Sequence, residues 1–417
     1  MKYSVPRGTK DILPSETLLW QHLETTCRRV FGLYNYGEIR TPIFESTELF
    51  ARSIGVSTDI VGKEMYEFKD RKGRSLTLRP EATAPVVRAA LENNLITADQ
   101  TTKLYYIGPM FRYERPQAGR QRQFHQAGVE VFGSADPLID AEVILLNLQL
   151  FKELGLANLS VNINSVGCAV CRPKLKQKLK DYFADKVKKM CTDCQERYTT
   201  NTLRILDCKE PGCQPIIEAA PAAVDSLCPE CQTHFQAVIK ALDYQQVKFV
   251  VNKRLVRGLD YYTRTTFEVT APSLGAQNAI SGGGRYDGLV ETLGGKTTPA
   301  TGFAVGLERV ITLMSNDQCQ MSNEGKIIIY FATLGEEAKN LGFDQLVKLR
   351  QKGIVADMDY LGRSLKAQLK TADRLGAKYV YIIGEDELKK GYGILKEMAT
   401  ATQKEVKFDS LEEEMVK

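Results

Sequence analysis

Eight of the ten cysteines crowd into one stretch of the 417-residue chain: Cys168-Ala-Val-Cys171, Cys191-Thr-Asp-Cys194, Cys208 with Cys213, and Cys228-Pro-Glu-Cys231. Two thiolates at C-x-x-C spacing can grip one side of a tetrahedral zinc, and in a reducing cytosol such pairs favour metal over disulfides. Eight free thiols are the alternative. With three histidines in the whole chain, a histidine-rich catalytic metal centre has little to be built from.

A second concentration of chemistry lies in Phe111-Arg112-Tyr113-Glu114, a polar loop RPQAGRQRQ, and Phe124. A strand–loop–strand reading puts Arg112, Glu114 and Phe124 together at one end of a hairpin. Arginine's planar, permanently charged fork suits phosphate oxygens. A carboxylate can accept the exocyclic amine of adenine, and an aromatic ring can stack on the base. Solvated charges on an exposed hairpin are the bland reading. The common nucleotide motifs are absent: there is no G-x-x-x-x-G-K-[ST], and Ser281-Gly-Gly-Gly-Arg-Tyr-Asp-Gly288 places Asp287 where G-x-G-x-x-G needs its third glycine. A nucleotide bound here would have its phosphates held by arginine side chains.

The elements that must carry these residues follow from the apolar spacing. Ser15 is placed to cap a helix in which Leu19, Leu23, Cys27, Val30 and Tyr34 recur at three-to-four spacing, ending at Gly37. A strand reads over Glu38–Phe44, with Pro42 suggesting an edge or bulge. Further strands read around Tyr66, around Leu76, from Lys103, and through FHQAGVEVFG to Gly133; an amphipathic helix runs from Asp140 through Leu154. Between about 167 and 244 the strand pattern vanishes and lysine, cysteine and proline rise, which predicts a mostly helical insertion. Strand patterns return at Val247–Val251, at Arg264–Val269 and around Ala279, and PATGFAVGLERVITLM reads as strand, glycine turn and helix. The polar stretch Ser315–Gly325 reads as a linker. Beyond it KIIIYFAT, GIVADMD and AKYVYIIG alternate with helical patterns, which argues a small α/β domain with a parallel or mixed sheet.

Composition is that of an ordinary globular chain, 43% apolar and 26% charged, with net charge +5 that neither demands nor excludes a nucleic-acid partner. No run approaches the ~18 apolar residues needed to cross a bilayer, and the start lacks the apolar core of a secretory signal. The expectation is a cytoplasmic protein with no membrane partner.

Several of these segments resemble the class II aminoacyl-tRNA synthetases in their histidyl form. FRYERP followed by RQFHQAGVEVFG is similar to motif 2, GFAVGLERV to motif 3, and the first helix plus EIRTPIFES to motif 1, the dimer-forming element. RLVRGLDYYTRTTFEV, Arg254–Val269, resembles the signature peptide of the histidyl enzymes, and LTLRPEAT their amino-acid-binding segment. The likeness runs from RGTKDILP at Arg7 through nearly the whole chain. It implies an α+β fold: an antiparallel-sheet catalytic domain over residues 1–322 that contains the cysteine-rich insertion of about 167–244, and an α/β anticodon-binding domain over 325–417. It implies a homodimeric histidine–tRNA ligase that activates L-histidine with ATP and Mg²⁺, releasing pyrophosphate, and passes histidine to the 3′ end of its tRNA.

Carried over residue by residue, the resemblance implies that Arg112 meets the α-phosphate and Arg309, near a helix start, the γ-phosphate, with Glu114 and Phe124 on adenine. Arg257 corresponds to the fixed cation beside α-phosphate and substrate carboxylate; a structural ion pair is its alternative. Glu130 and Tyr262, with neighbouring Tyr261, align with the readers of the histidine side chain, and Glu81, Thr83 and Gln126 with the ammonium site. Tyr261 could equally be packing, and Glu130 could face solvent at a strand edge. Ala82 departs from the family's RPEGT by a methyl group that could narrow the backbone's approach to the amino acid. A metal in the insertion, which the resemblance sets near the acceptor stem, would brace that module.

Arg363, Lys366, Lys370 and Arg374 recur at helical spacing opposite Leu365, Leu369 and Ala372, a basic stripe suited to RNA phosphates or simply a solvated face. Arg115, Gln117 and Arg120 of the motif 2 loop are candidates for the acceptor end. Two rivals stand beside the ligase: a non-catalytic synthetase-like regulatory subunit of histidine biosynthesis, and a class II synthetase for another amino acid.

Overall fold

The computed structural model describes residues 3–55, 58, 60–97, 99–116, 120–316 and 327–416. They fall into two units, Met1–Cys319 and Gln320–Lys417. The expected boundary at 322–325 lies outside the described residues.

In the first unit Pro14 opens α1 (Pro14–Leu33), so Leu13 rather than Ser15 is the N-cap and no side chain caps the helix. Proline's fixed φ and missing N–H suit that first position. Trp20, Leu23, Cys27, Val30 and Phe31 form the buried stripe, and the helix stops at Tyr34, before Gly37. The single strand expected over 38–44 is two short ones, β1 (Gly37–Glu38) and β2 (Phe44–Ser46), with Pro42 between them. Then come α2 (Thr47–Ile54), β3 (Tyr66–Lys69), β4 (Ser75–Leu78) and α3 (Thr83–Glu92). The long hairpin β5 (Thr102–Phe111) and β6 (Gln123–Phe132) follows, then α4 (Pro137–Glu153) and β7 (Ser160–Ser165).

The insertion is helical as its composition predicts: α5 (Cys171–Phe183), α6 (Thr192–Thr200), α7 (Gln214–Glu218) and α8 (Pro229–Tyr244), joined by 3₁₀ turns. It has a small core of its own, with Leu175, Leu179, Phe183, Ile205 and Ile217 all buried. The chain returns through β8 (Phe249–Val251), β9 (Thr263–Thr270), β10 (Ala279–Arg285), α9 (Leu289–Thr292), β11 (Ala300–Gly306) and α10 (Leu307–Asn316).

One sheet organises this unit, in the order β1-β5-β6-β11-β10-β9-β7-β8. Every pairing is antiparallel except β1 with β5 and β7 with β8 at its two edges. One face supplies Ala127, Val129, Val131, Phe303 and Val305 to the main core with α1, α4, α8 and α10. Helix α4 is not the two-faced helix expected from its sequence. It is wedged among α1, α8 and β11, and Ala141, Val143, Ile144, Leu146, Leu150 and Phe151 are all buried.

Strand alternation sends Gln126, Gly128 and Glu130 to the other face, where the cavity described below lies. Two glycines keep its floor low. A Cβ on Gly302, which pairs with Glu130, would lie 2.2 Å from Val129 O and 2.3 Å from Glu130 Oε2. One on Gly282 would lie 2.3 Å from the Arg257 guanidinium.

The second unit has a mixed five-stranded sheet, β13-β12-β14-β15-β16. Its strands are β12 (Ile329–Thr333), β13 (Ala356–Met358), β14 (Tyr379–Ile383), β15 (Tyr392–Glu397) and β16 (Gln403–Lys407). Its helices are α11 (Glu336–Gln351), α12 (Leu365–Arg374), α13 (Glu385–Lys390) and α14 (Leu411–Val416). Strands β12, β13 and β14 are parallel. The antiparallel hairpin β15–β16 adds an edge that the apolar runs alone do not announce. Lys366, Lys370 and Arg374 are exposed on α12, but Arg363 precedes the helix and its guanidinium is spent on Asp359 (Nε to Oδ1, 2.6 Å).

Candidate active site

A cavity of about 270 Å³ opens on the sheet face opposite the main core. Every residue singled out for amino-acid or nucleotide binding lines it: Arg112, Glu114, Phe124 and Arg309 together with Glu81, Thr83, Gln126, Glu130, Arg257, Tyr261 and Tyr262. Gln117 lies outside the described residues; Arg115 and Arg120 are exposed, and Arg120 also lines the cavity. The methyl group of Ala82 packs with Val86, Tyr106 and Met110 and does not line it.

One half is cationic. The hairpin closes where Arg112 N donates to Arg122 O at 2.9 Å, which brings Arg112 beside Phe124, its guanidinium carbon 5.2 Å from the ring centre. Arg112 Nε donates to Pro80 O at 2.8 Å, fixing the side chain, and Glu114 pairs with Arg120 at 3.2 Å. Arg309, in the first turn of α10, donates to Ala279 O. Burial, then the neighbouring positive charge of Arg120, lowers the pKa of Arg309, with Arg112 adding to the effect. Crowded guanidinium groups of this kind are a receptor for a polyanion. His125 locks α10 to β6: its backbone N–H and Nδ1 both meet the Glu308 carboxylate, at 2.8 and 2.9 Å.

The other half is anionic and deeply buried. Glu130 is 1% exposed and Glu81 4%, which removes the solvent-facing reading of Glu130. Thr83 Oγ1 donates to Glu130 Oε1 at 2.7 Å, and the Tyr286 hydroxyl donates to Oε2. The amides of Thr83 and Ala84, at the start of α3, donate to the two oxygens of Glu81 at 2.7 and 2.9 Å. Burial pushes Glu130 up to about 8, against the hydrogen bonds from Tyr286 and Thr83, and nearby Glu81 adds to the rise. Burial raises Glu81 as well, with its backbone hydrogen bonds opposing. Two carboxyls kept this dry await a ligand with positive charge or polarised N–H groups.

Arg257 lines the same cavity within electrostatic reach of Tyr262 and Tyr261, and Glu268, which acts on it, also acts on Arg309. Arg257 pairs with Glu268 across the sheet face, and its Nε is buried without a hydrogen-bond partner, as are Tyr106 Oη and Gln126 Oε1. Buried polar atoms left unpaired around one cavity mark where a polar ligand completes the set. Tyr261 is both wall and packing: its ring lies 4.8 Å from that of Tyr262 and 5.6 Å from that of Tyr286.

Sequence reasoning passed over Tyr286 and Tyr106. Tyr286 sits in the glycine cluster dismissed as a failed dinucleotide motif. An aromatic hydroxyl beside a glycine-rich strand is the signal that could have found it, since strands bare of side chains leave room for one.

The eight cysteines of the insertion form two tetrads, Cys168/Cys171/Cys228/Cys231 and Cys191/Cys194/Cys208/Cys213, with the sulfurs of each within 4.8 Å of one another. The first and last C-x-x-C pairs join each other, and the middle four residues make the second group.

Comparison with known proteins agrees over the whole chain. The family model described as Histidyl-tRNA synthetase matches residues 8–310, and the one described as Anticodon binding domain matches 329–417. A Histidine–tRNA ligase of Pelotomaculum thermopropionicum is 54% identical over 97% of this chain and 96% of its own. Its counterpart in Halothermothrix orenii is 53% identical over the full length of both. The crystal structure of apo Staphylococcus aureus histidyl-tRNA synthetase covers the whole of both chains, with 38% identity and a TM-score of 0.84.

Proposed function

Given that the chain belongs to the histidyl-tRNA synthetase family, as an ATP-dependent ligase that joins histidine to tRNA, we propose that both steps run in the single cavity, with the following roles. The imidazole of histidine donates an N–H to Glu130, with Tyr262 and Tyr261 closing around it. Glu81, Thr83 and Gln126 take the ammonium group. Arg112 grips the α-phosphate of ATP, Arg309 the γ-phosphate, and adenine stacks on Phe124 with Glu114 accepting from its amine. Mg²⁺ enters as part of the ATP substrate and screens the triphosphate. Arg257 bridges the histidine carboxylate and the α-phosphate. A carboxylate oxygen then attacks the α-phosphorus, the bond to the β-phosphate oxygen breaks, and pyrophosphate leaves. The tRNA's terminal ribose hydroxyl attacks the acyl carbon of the adenylate, and AMP departs.

The observation that carries this assignment is that a cationic group and two buried carboxyls line one cavity together with Arg257. The same reading makes the enzyme a cytoplasmic homodimer, supported by the likeness to motif 1. It sets Arg115 and Arg120 at the acceptor end, Lys366, Lys370 and Arg374 on tRNA phosphates, and zinc in the two cysteine tetrads. ATP–pyrophosphate exchange run with each of the twenty amino acids tests it. Exchange with histidine alone is expected. Exchange with none fits the regulatory-subunit reading, and exchange with a different amino acid overturns the roles given to Glu130 and Glu81.

A proton count gives a sharper check. With Glu130 pushed up to about 8, the carboxyl is mostly protonated at neutral pH before substrate arrives. An imidazole N–H favours its ionised form, so binding lowers that pKa and releases a proton. Calorimetry at about pH 7.5, where free imidazole is already neutral, is therefore expected to give binding heats that depend on the buffer's ionisation enthalpy. The dependence fades above pH 8 and is absent in Glu130→Gln. Identical heats in all buffers would count against the role of Glu130.

A further inference from the structure

The sulfurs of each cysteine tetrad lie within 4.8 Å of one another, a spacing that suits a tetrahedral metal ion. Cys168 Sγ lies 3.8 Å from Cys171 Sγ and 3.9 Å from Cys228 Sγ, and Cys191 Sγ lies 3.7 Å from Cys208 Sγ. Four sulfurs at ~2.3 Å from a zinc ion stand ~3.8 Å apart along each edge. A disulfide would need ~2.05 Å between two of them. Backbone N–H groups already point at the sulfurs: Cys228 N to Cys171 Sγ at 3.1 Å, Cys191 N to Cys213 Sγ at 3.3 Å and Glu210 N to Cys208 Sγ at 3.4 Å. Such donors support thiolates and orient metal ligands.

Residues next to the tetrads reach the loop that carries Arg257. Arg172, which follows Cys171, donates from Nη1 to Asp260 O at 3.1 Å. Asn201 and Arg204 lie between Cys194 and Cys208. Asn201 Nδ2 donates to Asp260 Oδ1 at 2.8 Å, and Arg204 Nη1 to Arg257 O at 3.2 Å. At the far end of the loop Arg264 takes a left-handed φ of 48°, a strained conformation for a side chain of its size. It is held there from the first tetrad's side: Arg264 N donates to Gly167 O at 2.9 Å, Val166 N donates to Arg264 O at 2.8 Å, and the guanidinium pairs with Glu230, which lies between Cys228 and Cys231. Over 257–260 the stretch from β8 to β9 pairs with no strand; besides Asp260 N, which donates to Ile54 O at 3.2 Å, its fixed points come from residues next to the two clusters.

We propose that each tetrad binds one zinc ion, and that Arg172, Asn201 and Arg204 are positioning residues that transmit the rigidity of these two sites to the backbone of Arg257–Asp260. The inference rests on the zinc reading of the tetrads given above. It goes beyond that reading in making the metal a determinant of the chemical step and not only of the insertion's fold. With metal bound, Arg257 is pinned between the Gly282 floor and the insertion. Without it, the loop keeps the Asp260–Ile54 and Arg257–Glu268 contacts but loses the three from the insertion, and the guanidinium no longer meets the α-phosphate in line.

The test starts with elemental analysis of the purified full chain, expected to find two zinc ions per chain. Cys194→Ser with Cys208→Ser is expected to leave one. Cobalt(II) exchanged into either site is expected to show the ligand-field and thiolate charge-transfer bands of a tetrahedral tetrathiolate. Arg204→Ala and Arg172→Ala should keep both zinc ions yet lose ~10- to 100-fold in kcat for pyrophosphate exchange, with the histidine KM within a factor of ~3. Arg204→Lys should recover part of the loss. Zinc absent, with the thiols free or paired as disulfides, overturns the metal reading. Two zinc ions bound while the alanine variants keep full kcat overturns the positioning inference alone, as does a change confined to KM. Should an alanine variant fail to fold, the intact enzyme stripped of zinc by a mercurial, freed of the mercurial with thiol and then given zinc back decides: kcat low in the metal-free protein and returning with zinc supports the inference, and kcat indifferent to zinc overturns it.

Discussion

Arg257→Ala is expected to slow histidyl-adenylate formation by ~10²- to 10³-fold while the histidine KM moves by less than about 10-fold. The carboxylate that attacks and the phosphate that is attacked are both anions. Bringing them to bonding distance needs a cation fixed where negative charge accumulates, and Arg257 is fixed from several sides. Glu268 holds its Nη1, the Gly282 floor lies against its guanidinium, and Arg204 holds its carbonyl. Because the substrate is also gripped by the Glu81 and Glu130 half, ground-state binding survives the loss. Single-turnover formation of adenylate in a rapid quench separates the two effects. A variant that loses affinity and keeps its chemical rate would reassign Arg257 to substrate capture. Arg257→Lys should fall between, since an ammonium restores charge but cannot bridge two oxygens at once.

Glu130→Gln should raise the histidine KM by ~10- to 100-fold and, in the same protein, raise the melting temperature of the substrate-free enzyme at alkaline pH. The first effect follows from losing a charged acceptor for the imidazole in a site where water cannot substitute. The second follows from linkage. Glu130 titrates near 4.5 unfolded and near 8 folded, so its contribution to stability is fully present below pH 4.5 and is lost as pH climbs to about 8. Glutamine does not titrate. The melting-temperature difference between variant and wild type is thus expected to be small near pH 4.5, to widen up to about pH 8, and then to level off. A difference that stays flat across that range would mean that Glu130 is ionised throughout in the empty site.

What could be read from the chain, and what could not, separates along physical lines. The β5–β6 hairpin that gathers Arg112, Glu114 and Phe124 was legible because strand periodicity is local. That the eight insertion cysteines divide first-with-last and middle-with-middle was not, since C-x-x-C spacing fixes pairs but not which pairs meet. Tyr286 was hidden for a related reason. Its partner Glu130 is far away along the chain and meets it through the packing of β10 and β11 on β6. Arg363 was misread as part of a helical stripe because spacing cannot tell a helix residue from one just before it, and Asp359 claims it. Helix α4 misled in the opposite direction: polar residues along it suggested a wet face, yet Asp140 and Asn147 are buried partners of Arg285 and Ser281.

Where the sheet under the substrates carries bare backbone, at Gly282 and Gly302, each position is occupied in effect by the side chain of another residue lying flat over it. A mutation there does not trim or enlarge the pocket by one methyl group; it evicts Arg257 or Glu130 from its berth. Efforts to coax this enzyme into accepting histidine analogues should therefore vary the upright walls around the side chain, such as Tyr261 and Tyr262, and leave those two spots untouched.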